Sequence, residues 1–556
     1  MVWRRRRLGV WLTIAIGMVA AVGVARERRA PKLLEARRER AQIAAHEAHR
    51  YVVPLESRDC AFGRVSADPG VHDLQLVVHE PGTDRPLRQL LLRESAIDLG
   101  FCVEAPGNYV LELRAGEAGG GYELALEAVL ARPAAKLDLL TGDPVMSPRV
   151  RALAAALPST ERVAQLTSEL ERVGTPLIEP ADADNSWVTF FYLGAPAIRS
   201  VSVSWQMWSF ELEDTRLSRL PGTSLWWKSV KLPNATRLSY QLTIDPPRAD
   251  EAMWERAQAA VSRADPWNKA PMFPSLQLDP YAQRSTVQLP AAAPERWRDP
   301  ALKKRVPGRL EQHSLASQHL GHSHTLTVYI PGTYEGELPL LIFFDGESYL
   351  QDLDAKNLLD ALIGGGAITP LLAVFVLDDD PSQRSSELPC NPSFAAFVAD
   401  ELLPFARAHY RVSQDASQIG LAGMSLGGLA SSFIALEYPQ RFGKVLSQSG
   451  SFWWTFEPDS PQYDGTERAG WLRRRFAERP TAKTQLYLSA GLFEGSREGS
   501  GVLEENRALR DALRRQGYSI AYQEFAGGHD HLAWRATLPD ALIALYGVRY
   551  PPAHLR

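Results

Sequence analysis

The segment Ile419-Gly420-Leu421-Ala422-Gly423-Met424-Ser425-Leu426-Gly427-Gly428 constrains this chain more than any other. An apolar run ends in Gly-x-Ser-x-Gly, and Leu426, Leu429, Phe433 and Leu436 then recur at a helical period. A strand must therefore turn at Ser425 straight into a helix. Glycines two before and two after it remove side chains that would collide in so sharp a bend. The serine hydroxyl stands at a helix N-terminus, where the dipole favours developing negative charge. Similar apolar runs occur at Leu338 to Phe344, Leu371 to Leu377, Gln485 to Ser489 and Ile520 to Phe525. Unbroken apolar strands imply a parallel sheet buried on both faces. Segments such as Ser393 to Tyr410 and Glu504 to Gln516 read as its covering helices. Residues 307–556 are thus expected to form an α/β domain with a mostly parallel sheet, of the α/β-hydrolase type.

Serine is a poor nucleophile near neutral pH and needs a base. Gly527-Gly528-His529-Asp530-His531 follows the last predicted strand. In this fold the base sits there, and the chain order is Ser, acid, His. His529 is the expected base. His531 is its rival, or else the start of a helix. Glu494 is the nearest carboxylate after the strand Leu486 to Ala490, with Glu498 and Asp464 as alternatives. The acid would hold the imidazole tautomer and stabilise the imidazolium. An oxyanion hole needs preorganised N–H donors. Leu426 supplies one, and the loop Asp345-Gly346-Glu347 is expected to supply another near Gly346 or Glu347.

The upstream half has a different grammar. Arg4 to Arg7 precede an apolar stretch, Leu8 to Ala25, that ends in small residues. Residues 1–29 therefore read as a signal peptide, with a periplasmic or secreted product. Left uncleaved, the stretch is long enough to stay as an inner-membrane anchor facing the periplasm. Residues 30–135 are read as an accessory module. Ala30 to His49 is charged and helix-prone, a spacer, and Tyr51 to Arg132 has the short alternating strands of a β-sandwich. Cys60 and Cys102 are either joined there or left as two thiols, and Cys390 sits elsewhere. Residues 136–306 are read as a connecting helical segment (Leu137 to Val173), a second β-sandwich (Ser186 to Pro246) and a Pro-rich linker (Asp265 to Val306). No Cys/His cluster has zinc spacing along the chain, so neither a metal site nor a cofactor is expected. A net charge of −4 gives no sign of a nucleic-acid partner.

Several segments resemble the enterochelin (enterobactin) esterase family: Leu340 to Glu347, Arg384 to Asn391, Gly423 to Trp454, and Gly527 to Asp530 with Trp534-Arg535 beyond. The Trp-rich β region from Trp187 to Pro246 is similar to that family's N-terminal domain. The resemblance implies hydrolysis of a catecholate siderophore ester, an enterobactin-like trilactone, with release of iron. It implies Ser425 as nucleophile, His529 as base and Glu494 as acid. Arg384 and Glu387 become pocket residues near the mouth, where a cation suits an anionic catecholate. Trp453 and Trp454 would either stack on flat rings or pack the core. The alternative substrate is a feruloyl or other acyl ester of an exported carboxylesterase. The best-known members of the family are cytoplasmic and lack a module like residues 30–135, so both the export signal and that module are departures.

Overall fold

The computed structural model describes the two-residue strand Lys32–Leu33 and residues 38–548, less short internal stretches of which the longest are 133–145, 299–306 and 457–469. The targeting segment expected at 1–29 lies outside the described residues. Among the described residues, no helix is long and apolar enough to cross a membrane.

The C-terminal part is built on one eight-stranded sheet. Its strands are β1 (Arg309–Ala316), β2 (Ser323–Ile330), β3 (Leu340–Phe343), β4 (Leu372–Val376), β5 (Ile419–Met424), β6 (Lys444–Gln448), β7 (Gln485–Gly491) and β8 (Ser519–Phe525). Their spatial order is β1-β2-β4-β3-β5-β6-β7-β8. The first two are joined antiparallel, and β4 through β8 run parallel. Alternation within one strand shows why these runs lack polar residues. Leu340, Ile342 and Phe344 enter one core cluster, while Leu341 and Phe343 enter another on the opposite face. Both faces are covered, so a period-2 polar pattern has no place. The helices used below are α1 (Gly346–Gln351), α2 (Pro381–Glu387), α3 (Leu426–Glu437), α4 (Val502–Arg515) and α5 (His531–Tyr546). The helix expected at Ser393 to Tyr410 forms in three pieces: Pro392–Ala396, a wide π turn at Phe397–Leu402, and Leu403–His409. Pro404 cannot donate a main-chain hydrogen bond, which breaks the regular ladder there.

Two β-sandwiches precede this domain. The second pairs the sheet containing Asn185–Leu193 and Leu225–Pro233 with the sheet containing Val201–Trp205 and Arg237–Ile244. Val188, Phe190, Trp205, Tyr240 and Leu242 fill the space between them. The stretch expected to be a linker contributes more than a connection. Ser285–Gln288 adds a strand beside Arg237 to Tyr240. Met272, Phe273 and Arg284 form part of a cavity wall.

The first sandwich is assembled from the strand order 32–33, 48–55, 107–114, 75–79, 86–91 and a facing sheet of 38–43, 120–131, 59–67 and 96–102. The spacer expected at Ala30 to His49 is therefore corrected. Arg38–Ile43 is a strand, and Ala48 opens another. Arg38 and Arg40 lie on one face of the edge strand and pair with Glu123 across the ladder, so cross-strand pairing overrides helix propensity. Cys60 and Cys102 face each other on neighbouring strands and form a disulfide. Replacing both cysteines by alanine is expected to destabilise this sandwich by ~2–4 kcal/mol, through the freed loop in the unfolded chain. Calorimetry should show an earlier transition for the sandwich and an unmoved one for the eight-stranded domain.

Candidate active site

Ser425 sits between β5 and α3 with φ 54° and ψ −120°. A non-glycine residue in this region stores about 1–3 kcal/mol of strain, so its surroundings must hold it there. Its N–H donates to the Gln448 carbonyl at 2.9 Å, and its own carbonyl accepts from Leu429 at 3.1 Å and Ser451 at 3.0 Å. Gln448 is fixed in turn: its amide donates to the Trp534 carbonyl and to Thr537, and it accepts from the Tyr349 hydroxyl. A Cβ on Gly423 would stand 2.2 Å from the carbonyl carbon of Gly427, so the bend tolerates no side chain there. Ser425 Oγ lies 3.2 Å from Ser451 Oγ. Leu426 is the first residue of α3, and its N–H is among those a helix start leaves without an intrahelical partner.

His529 and Glu494 meet from the ends of β8 and β7. The imidazole Nδ1 is 2.9 Å from Glu494 Oε1. Glu494 is fully buried, and its other oxygen accepts the Gly491 N–H at 2.6 Å. A carboxylate engaged in this way accepts, so Nδ1 carries the proton and Nε2 keeps a lone pair. Ser425 and His529 line the same cavity, of about 450 Å³. His531 lines it too, but its Nδ1 is 2.7 Å from Asp352, not from Glu494. Of the other acids considered, Glu498 and Asp464 lie outside the described residues.

Two indoles hold the His529 ring. Trp208 stacks on it at 4.3 Å between centroids, and Trp534 meets it edge-on at 4.7 Å. Trp534 is anchored by its own N–H to Ser449 Oγ at 2.8 Å. The His529 N–H donates to the Gln206 carbonyl at 2.7 Å. Gln206 and Trp208 belong to the second sandwich, and nothing in the sequence spacing ties them to His529. The chain-level signal that exists is Gly528, whose Cβ would stand 2.0 Å from Gln206 O.

The cavity carries two guanidinium groups. Arg384 lines it and forks onto the Asp345 carboxylate. Arg284, which the sequence did not single out, lines it from the second sandwich and donates to Ser239 Oγ at 2.7 Å. Burial pulls the Arg284 guanidinium below its usual range while the nearby Asp530 charge opposes that shift. An arginine remains a cation throughout.

Of the other expected residues, Glu387, Trp453 and Trp454 fall elsewhere. The turn after β3 presents Asp345 and Ser348 to the cavity. Gly346 packs behind them, and a Cβ on it would meet the Val376 carbonyl at 2.7 Å. Glu347 accepts from Gln351 on α1. Glu387 is not among the lining residues, because α2 directs it one turn beyond Arg384 onto His322 and His324. Trp454 packs against Phe456 and Trp471 at the core edge. Trp453 is 41% exposed and is not among the lining residues. The aromatic wall comes from Trp534 and Phe273 instead.

Known proteins resemble this chain over much of its length. A family model described as "Putative esterase" matches residues 317–545, and one described as "Enterochelin esterase, N-terminal" matches residues 187–298. The iron(III) enterobactin esterase of Dickeya dadantii is 29% identical over 67% of this chain and 90% of its own length. The iron(III) salmochelin esterase of Escherichia coli O6:H1 is 28% identical over 69% of this chain and 95% of its own. Among solved structures, the ferric enterobactin esterase of Salmonella typhimurium aligns with a TM-score of 0.57 at 27% identity, covering 68% of this chain and 98% of that one. The Shigella flexneri enterobactin esterase, solved in the presence of enterobactin, aligns at 0.54 and 26%, covering 67% and 95%. The first sandwich lies outside both family matches.

Trp208 is 43% exposed, so its removal should leave the fold intact. Trp208→Ala is expected to lower kcat for ester hydrolysis by about 10–100-fold by loosening the imidazole, with unchanged thermal melting. Gly528→Ala should lower kcat by at least as much, since the new methyl group must push the His529 loop off Gln206. Steady-state kinetics on the two variants checks both.

Proposed function

The chain belongs to the enterochelin esterase family, and on that premise we propose that it hydrolyses ferric catecholate siderophore esters of the enterobactin type by a Ser425–His529–Glu494 mechanism. It is an ester hydrolase. The observation that carries the mechanism is the 2.9 Å pairing of buried Glu494 with a histidine that shares a cavity with a strained serine.

In this reading Ser425 Oγ attacks the ester carbonyl carbon and its proton passes to His529 Nε2. The oxygen that becomes negative is met by the Leu426 N–H and by a second donor from the turn Asp345 to Glu347. His529 then protonates the departing alkoxide, which leaves an acyl-enzyme and a free alcohol. Water, deprotonated by the same imidazole, releases the carboxylic acid and restores Ser425. Glu494 holds the tautomer and balances the imidazolium. The substrate is flat, aromatic and negatively charged, and iron arrives with it as cargo. Arg284 and Arg384 suit its charge, and Trp534 and Phe273 suit its rings.

The reading extends to an exported enzyme. The basic and apolar segment at 1–29 and the Cys60–Cys102 disulfide both favour an oxidising compartment, the periplasm or beyond. The segment is either removed or kept as an anchor, and fractionation with N-terminal sequencing separates the two.

Ser425→Ala is expected to abolish formation of dihydroxybenzoyl-serine products from ferric enterobactin, followed by mass spectrometry, and to lose labelling by a fluorophosphonate. Glu494→Gln should lower kcat by ~10³–10⁴-fold while retaining labelling at a reduced rate. Full turnover by Ser425→Ala would remove the mechanism. Turnover of feruloyl esters with none of ferric enterobactin would replace the substrate but leave the mechanism standing.

A further inference from the structure

A second cluster of titratable side chains lies apart from the residues that line the catalytic cavity. His322 closes the turn between β1 and β2, His324 is the second residue of β2, and Glu387 ends α2. His322 Nε2 lies 2.8 Å from one oxygen of Glu387, and His324 Nε2 lies 3.1 Å from the other. The donor atoms of the three residues all fall within 4.8 Å of one another. His324 is 2% exposed and Glu387 6% exposed, while His322 keeps one edge towards solvent.

These contacts do not behave as ordinary hydrogen bonds. Among the described residues, His322 Nε2 and both ring nitrogens of His324 are buried without a hydrogen-bond partner, although both Nε2 atoms lie close to carboxylate oxygens. Leaving such groups unsatisfied is costly. The His322 tautomer sharpens the point. Its Nδ1 lies 3.1 Å from the Leu320 carbonyl, which can only accept, so Nδ1 holds the proton. With Nδ1 protonated, Nε2 faces an anionic carboxylate and needs a positive charge there, either its own proton or a metal ion between the two.

We propose that His322, His324 and Glu387 bind a divalent transition-metal ion of the zinc type. Two donors about 2.0–2.1 Å from one ion, at angles of ~90–110°, stand about 2.9–3.4 Å apart. The observed separations of 2.8 and 3.1 Å are close to that range. Two imidazoles and a carboxylate are a donor set that suits zinc, with a fourth position for water from the solvent edge at His322. The Nδ1–H to Leu320 bond is the outer-shell contact that orients a ligating histidine. The turn is itself rigid: Ser317 N–H donates to the His322 carbonyl, and Ser317 Oγ donates to Glu401. The expectation of no metal site rested on spacing along the chain. Here the two histidines come from one strand start and the carboxylate from a distant helix end. The ion would staple the β1–β2 turn to the end of α2, the helix that carries Arg384 into the catalytic cavity.

The test uses the full chain stripped by dialysis against a chelator and then titrated with Co²⁺ and Zn²⁺. One equivalent of Co²⁺ should give the visible absorption of an imidazole-ligated, four-coordinate ion, and Zn²⁺ should displace it and raise the melting temperature. His322→Ala, at the solvent edge, should bind at least about tenfold more weakly. His324→Gln should behave alike and also lose the Co²⁺ spectrum. Both variants should keep labelling of Ser425 by a fluorophosphonate. No stoichiometric binding to the wild type, or unchanged binding in both variants, would overturn the site and leave a histidine–carboxylate ion pair in its place. Neither result bears on the esterase mechanism.

Discussion

The His529 N–H bonded to a carbonyl of another domain is the contact on which this site rests. Gln206 accepts it at 2.7 Å, and Gly528 lets the two backbones approach. The seam continues on either side. Ser239 donates its N–H to Asp530, and Arg237 donates its N–H to the Ala526 carbonyl at 3.1 Å. Ser209 donates to the Phe493 carbonyl at 3.1 Å, and the Phe493 ring packs against the sandwich core. The loop carrying His529 and the loop carrying Glu494 thus both lie on the second sandwich. A loop is a poor platform for a group that must be held to a fraction of an ångström. The sandwich makes these loops rigid and adds Trp208 and Arg284, so it is one half of the site.

What could be read from the sequence follows from the range of the forces involved. The bend at Ser425 is local: strand, two glycines and helix occupy consecutive positions, and steric exclusion within ten residues dictates the pattern. Unbroken apolar strands such as Leu340–Phe343 likewise report burial on both faces. The position of Glu494 after β7 and of His529 after β8 follows from chain order in the fold. Long-range docking leaves no such trace. Arg284 reaches the cavity, and Trp208 reaches the His529 ring, only because one domain settles on another. Glu387 sits one helical turn beyond Arg384 and points to a different place, although the two are adjacent in the segment that suggested both. Trp453 and Trp454 lie near Ser425 in the chain, yet one packs towards Trp471 and the other faces outward. The strand Arg38–Ile43 is masked by charge: its arginines look like solvated helix residues until Glu123 is beside them.

Charge in the cavity is shaped by what each carboxylate has already accepted. Asp345 is committed to the Arg384 fork, which leaves that pair close to neutral. Asp530 accepts N–H groups from Ser239 and Leu532 and caps α5, whose N-terminal dipole stabilises the charge. Its negative charge is therefore partly answered before Arg284 is considered. The two guanidiniums and the two carboxylates that line the cavity thus balance in formal charge.

Among the described residues, the first sandwich reaches this site through the second. None of the described residues lining the cavity comes from it. Its disulfide-bonded Cys60 and neighbouring Phe62 pack on Ala257 and Ala260. Arg256 donates to the Gly63 carbonyl at 2.8 Å. Arg58 lies 3.3 Å from Asp245. The same Asp245 carboxylate accepts the N–H groups of Arg199 and Ser200, immediately before the strand Val201–Trp205. That strand leads directly into Gln206 and Trp208. A cation from the N-terminal module therefore meets the carboxylate that anchors one end of a strand, and the residues beyond the other end of the strand grip His529. That strand is the path of contacts that links the added module to His529.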